Sequence, residues 1–109
     1  MTASLLYSYH RLLKEYDKVL TLTDKLLSTL QSGETDNDFI SSLINKRHKS
    51  VKLIQKMTEK LSNFNPSDSQ KADPQMIAEL KSLHLEIEHK TDLLHEKEIE
   101  LEKIVDDLN

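Results

Sequence analysis

Leu26-Leu27-Ser28-Thr29-Leu30-Gln31-Ser32-Gly33-Glu34-Thr35-Asp36-Asn37-Asp38-Phe39-Ile40 holds the only glycine of the chain, set between two runs patterned as helices. A helix interior tolerates glycine and proline least, by roughly 1 and 3 kcal/mol relative to alanine. Gly33 is therefore read as the left-handed residue that ends one helix. Asp36, Asn37 and Asp38 offer side-chain oxygens to cap the next. So short a break predicts an antiparallel pair of neighbours.

Working outward, the only prolines, Pro66 and Pro74, also fall outside the patterned runs. Asn63 to Asp73 reads as a polar loop, and Asp73-Pro74 as a cap followed by proline at the first helical position. The chain thus divides into predicted helices over about 2–32, 37–62 and 74–108. In the first, Leu5, Tyr9, Leu12, Tyr16, Val19, Thr23, Leu26 and Leu30 alternate steps of four and three. Leu6, Leu13, Leu20 and Leu27 repeat every seven beside them, a stripe broad enough for two neighbours. The second runs Ile40, Ile44, Arg47, Val51, Ile54, Thr58 and Leu61, flanked by Phe39, Leu43, Leu53, Met57 and Phe64. The third runs Met76, Leu80, Leu83, Ile87, Thr91, Leu94, Leu101, Val105 and Leu108. The expected fold is all-α: one domain over 1–109, an elongated antiparallel three-helix bundle with coiled-coil-like packing.

Composition narrows the classes of function. At 109 residues the chain has room for a single modest core. It has no cysteine, which removes disulfides and thiolate chemistry and fits a reducing compartment. The N-terminus lacks the pattern of a signal peptide. No run approaches the roughly 20 apolar residues that span a bilayer, so membrane insertion is not expected. The cytoplasm is the expected location. Net charge is −4, with residues 1–55 at +2 (eight Lys/Arg, six Asp/Glu) and residues 56–109 at −6 (seven Lys, thirteen Asp/Glu). The basic run Lys46, Arg47, Lys49, Lys52, Lys56 and Lys60 reads as a solvated face near a helix C-terminus. Nucleic acid is not an expected partner.

Thr23, Arg47 and Thr91 each lie on or beside the apolar stripe of their own helix, and folding at the two breaks brings them to about the same height. Lys90 and Asp24 lie nearby. Two arrangements fit: a polar layer inside the core, which would fix helix register, or long stems that carry Arg47 and Lys90 to the surface.

Chemistry-bearing constellations are sparse. Glu86-x-x-His89 and Asp92-x-x-His95 have di-iron spacing, but both sit on one helix where a di-iron site draws on several. His10, His48 and His84 form no recognisable ligand set. One glycine builds no phosphate loop, and no nucleophile motif appears. The expectation is a protein that is not an enzyme and takes no metal or cofactor. What remains is surface: Leu85 and Ile99 point away from the seam of the third helix, as do Tyr7 and Leu22 on the first. A partner helix is expected in a groove between the second and third helices, bordered by Leu53, Met57, Phe64, Leu85, Leu93 and Ile99. Leu53, Met57, Phe64 and Leu93 also fit core positions, and monomer and homodimer both stay open.

The run Leu12-Leu13-Lys14-Glu15-Tyr16 to Leu26-Leu27-Ser28-Thr29-Leu30-Gln31-Ser32-Gly33-Glu34-Thr35-Asp36 resembles the start of FliT-type flagellar export chaperones. The second helix, Phe39 to Leu61 with Lys46-Arg47 at its middle, continues the likeness. Ile87-Glu88-His89-Lys90-Thr91-Asp92-Leu93-Leu94 looks like the family's late helix. FlgN-type chaperones share much of the pattern. The resemblance implies a small cytoplasmic chaperone that binds a flagellar export substrate, for FliT-type members the C-terminal region of the filament-cap protein. Longer members carry a further helix that covers the binding surface; no counterpart precedes Asn109, so that device is not carried over. Two rival readings need no flagellum. One is a structural three-helix module similar in length to a spectrin-type repeat, and the other a regulatory bundle like those of membrane-fusion proteins.

Overall fold

The computed structural model describes residues 2–33, 36–62 and 74–108. Apart from Ser32, Gly33 and Asp36, every described residue is helical. Three helices follow in order: α1 (Thr2–Gln31), α2 (Asn37–Ser62) and α3 (Pro74–Leu108). The loop expected over 63–73, with Phe64 and the Asp73 cap, lies outside the described residues.

The α1–α2 turn is built from the residues that punctuate it. Gly33 adopts φ +78°, a left-handed conformation that would strain any residue with a Cβ. Ser32 N donates to the Ser28 carbonyl (3.0 Å) and Gly33 N to that of Leu30 (3.3 Å), satisfying carbonyls at the end of α1. Of the three candidate caps, Asp36 takes the role. Its Oδ1 accepts from Asp38 N at 3.1 Å and Phe39 N at 3.2 Å, and its carbonyl accepts from Ile40 N at 3.1 Å.

The bundle measures 55 × 20 × 17 Å, its long dimension being set by α3, whose 35 residues span about 52 Å at 1.5 Å each. α1 is the central element. It packs along both other helices, whereas α2 and α3 approach each other far less closely. Among the described residues, eight of the twelve buried side chains belong to α1, three to α2 (Leu43, Ser50 and Ile54) and one, Leu83, to α3. Leu12, Tyr16, Val19 and Ile54 form the centre of the core, and Val51, Met57, Leu61, Ile87 and Leu94 close around them.

The buried face of α2 corrects the expected seam. Leu43, Arg47, Ser50, Ile54, Met57 and Leu61 face inward, all buried or half-buried, in regular steps of four and three. Ile44 is 49% exposed and Thr58 is exposed, whereas Ile40 and Val51 of the expected seam are half-buried, Val51 against the core. The two frames share Arg47, Ile54 and Leu61 and differ by one residue between them. A hydropathy reading prefers Ile44 and Val51 to Ser50, but packing against α1 needs Leu43 and tolerates a small serine. On α3, Val105 is likewise 44% exposed although it continues the apolar stripe.

Candidate functional site

A half-buried cation, Arg47, sits where all three helices meet. Arg47 Nε donates to Thr23 Oγ1 at 2.8 Å, and the Thr23 hydroxyl donates in turn to the Val19 carbonyl at 2.7 Å. Thr23 is fully buried. The other end of the guanidinium, Nη2, forms an ion pair with Glu98 of α3. Burial lowers the Arg47 pKa from its ordinary value, because a charge leaving water is disfavoured.

Thr91, expected in this layer, sits elsewhere. Its Oγ1 lies 3.1 Å from Tyr16 OH and donates to the Ile87 carbonyl at 2.7 Å. One hydroxyl has one proton, so with that donation made the Tyr16 hydroxyl is the donor between the two. Lys90 pairs with Asp17 and Lys97 with Asp24. The rings of Tyr9 and His84 meet edge-on at 6.1 Å. These partners share one parallel register: 9 with 84, 16 with 91, and hence 23 with 98. Thr23 and Arg47 meet as expected, and only the α3 member of the expected layer is one heptad out. A slip of seven residues keeps every apolar stripe in place, so periodicity alone does not choose between the two registers. The polar pairs do.

The α2–α3 side is the open side of the bundle. Beside α2 lies a depression of about 840 Å³, floored by Tyr16 of α1 and Ile54 of α2 and bordered by Lys52, Gln55, Lys56, Thr58 and Glu59. Nearer the Gly33 turn, Ile44 and Ile99 (43% exposed) lie beside the Arg47–Glu98 pair in sequence. Of the residues expected to border a groove, Leu85 is 66% and Leu53 39% exposed. Met57 is half-buried against the core, and Leu93 is half-buried. Tyr7 is 65% exposed, its ring covered by the Arg11 guanidinium at 5.9 Å, and Leu22 is half-buried. Among the described residues, no three His, Asp or Glu side chains converge as metal ligands. No described helix is long and apolar enough to cross a membrane.

No family model matches the chain, and no solved structure does. Among curated proteins the chain is similar to an F-box/FBD/LRR-repeat protein of Arabidopsis thaliana, 35% identical over 94 residues. The alignment covers 72% of this chain and 21% of that protein, so the chain spans about one fifth of its length.

Proposed function

We propose that this chain is a binding module that takes the apolar face of a partner helix on its open α2–α3 side. In the more specific reading it is a non-enzymatic cytoplasmic chaperone of FliT type, which holds a segment of a flagellar export substrate, the filament-cap protein, until export. The supporting observation is the loose approach of α2 to α3, with Ile44, Leu85 and Ile99 exposed on these two helices. An amphipathic helix laid in such a groove gains roughly 25 cal/mol for each Å² of apolar surface withdrawn from water. Met57 is at hand to repack around it.

The test is calorimetric titration of the chain with the C-terminal segment of the host's filament-cap protein, repeated with Leu85→Asp and Ile99→Asp. Binding that Ile99→Asp abolishes while the helical spectrum is kept supports the chaperone. Absence of binding, with no flagellar component co-purifying from the host, ends that reading. It leaves the second one, a structural interaction module unrelated to flagella, which is favoured by the chain's likeness to one fifth of a longer protein.

A further inference from the structure

Charge is divided between the two outer helices in a self-complementary way. α2 carries six Lys/Arg against two Asp/Glu, and α3 carries four Lys against ten Asp/Glu. Two of those four lysines, Lys90 and Lys97, are committed to Asp17 and Asp24 of α1. The solvent side of α3 is correspondingly acidic, and that of α2 basic. No described ion pair uses Lys52 or Lys56 of α2, or Asp92 or Glu96 of α3. All four are exposed.

Of these unmatched charges, Lys52 and Asp92 share one face with unmatched apolar surface, and Lys56 and Glu96 stand at its outer rims. The Arg47–Glu98 pair marks the line along which α2 faces α3. At about 100° per residue, Ile44 and Lys52 lie on the side of that line away from α1, roughly 60° and 140° from Arg47. Ile99 and Asp92 lie on the matching side of α3, roughly 100° and 120° from Glu98. The same face therefore presents a basic edge, an acidic edge, and two isoleucines that are 49% and 43% exposed.

We propose that a second copy of this chain covers the α2–α3 face, related by a two-fold axis that lays α2 of each copy on α3 of the other. A two-fold interface uses the same patch twice. A patch with opposite charges on its two edges is complementary to itself once it is rotated. The face is about 39 Å long where the 26 residues of α2 run beside α3 and 20 Å wide, a projected area of about 780 Å², close to the roughly 800 Å² per partner of an ordinary stable interface. Opposed charges steer and orient such a pair, and salt weakens it. This inference goes beyond the partner proposed above; where both hold, partner and second copy compete for one face.

The experiment is light scattering after size exclusion, with sedimentation equilibrium, on the full chain and two charge-reversed variants. The wild type is expected at twice its 12.6 kDa chain mass in low salt, shifting toward the monomer in high salt. Lys52→Glu/Lys56→Glu sets acid against acid, and Asp92→Lys/Glu96→Lys sets base against base, so each alone is expected to be monomeric. Mixed in equal amounts they complement each other at both contacts, and the doubled mass returns. A wild type that stays monomeric in low salt overturns the proposal. So does either variant dimerising like the wild type, or a mixture that stays monomeric. Circular dichroism checks the fold of each; should one unfold, Lys49→Glu/Lys52→Glu and Glu88→Lys/Asp92→Lys replace the pair in the same mixing test.

Discussion

Arg47 reaches from α2 into the core and donates through Nε to the fully buried Thr23 hydroxyl of α1, 2.8 Å away. Two ends of one guanidinium thus serve two helices, since Nη2 pairs with Glu98 of α3. Unmaking this arrangement in parts or as a whole should have opposite consequences. Arg47→Met/Glu98→Leu removes both charges together with their demand for partners, and replacing a buried ion pair by apolar side chains is often neutral or stabilising, by about 1–4 kcal/mol. The Arg47 side chain is 16% and that of Glu98 37% exposed, so the low end of that range is expected. Urea unfolding of Arg47→Met/Glu98→Leu at or above wild-type stability, with Glu98→Ala alone below it, is the outcome that fits.

Thr23→Val keeps the shape of the side chain and deletes the acceptor for Arg47 Nε. A buried donor left without its partner costs about 1–3 kcal/mol. In the double variant Thr23→Val/Arg47→Met no donor is stranded, so the loss should largely disappear. A double-mutant cycle whose coupling energy is near zero would show that the two side chains act independently.

The register of α3 can be read by cross-linking, because the chain has no cysteine of its own. Asp24→Cys/Lys97→Cys places thiols at positions whose native side chains pair across the two helices and should oxidise the more readily of two alternative pairs. Asp24→Cys/Lys90→Cys belongs to the register one heptad away and should stay reduced. Equal oxidation of the two pairs would mean that α3 does not hold a single register.

Tyr16→Phe leaves a buried ring in place and removes the hydroxyl that meets Thr91. A loss of about 0.5–1.5 kcal/mol is expected, measured as a fall in urea midpoint at unchanged slope. Thr91→Val should add little to it, since both changes remove the same contact.

At the α1–α2 turn, Asp36→Ala deletes the acceptor of two backbone amides and should cost about 1 kcal/mol. Gly33→Ala has open space for its methyl group, since nothing lies within 4 Å of the added carbon. Its cost of about 1–2 kcal/mol comes wholly from the left-handed backbone. Thermal melts of both variants check these values.

The sequence by itself determined three helices, their ends and the central place of α1. Breakers and caps act within a few residues of themselves, and the doubled stripe of α1 announces two neighbours before any fold exists. It also pointed to Arg47 and Thr23 as polar groups on apolar faces. Only the tertiary structure decided what lay opposite them. A short turn ties α1 to α2, so Thr23 and Arg47 meet as the turn dictates. The segment between α2 and α3 is long, and α3 repeats Leu80, Ile87, Leu94 and Leu101 every seven residues. Either register therefore buries similar apolar surface, and Glu98, an ordinary surface residue by composition, displaces Thr91 from the layer. Packing likewise placed Ser50 inside and Ile44 outside, because burial follows the line of closest approach to α1 and not the hydropathy of each residue in turn.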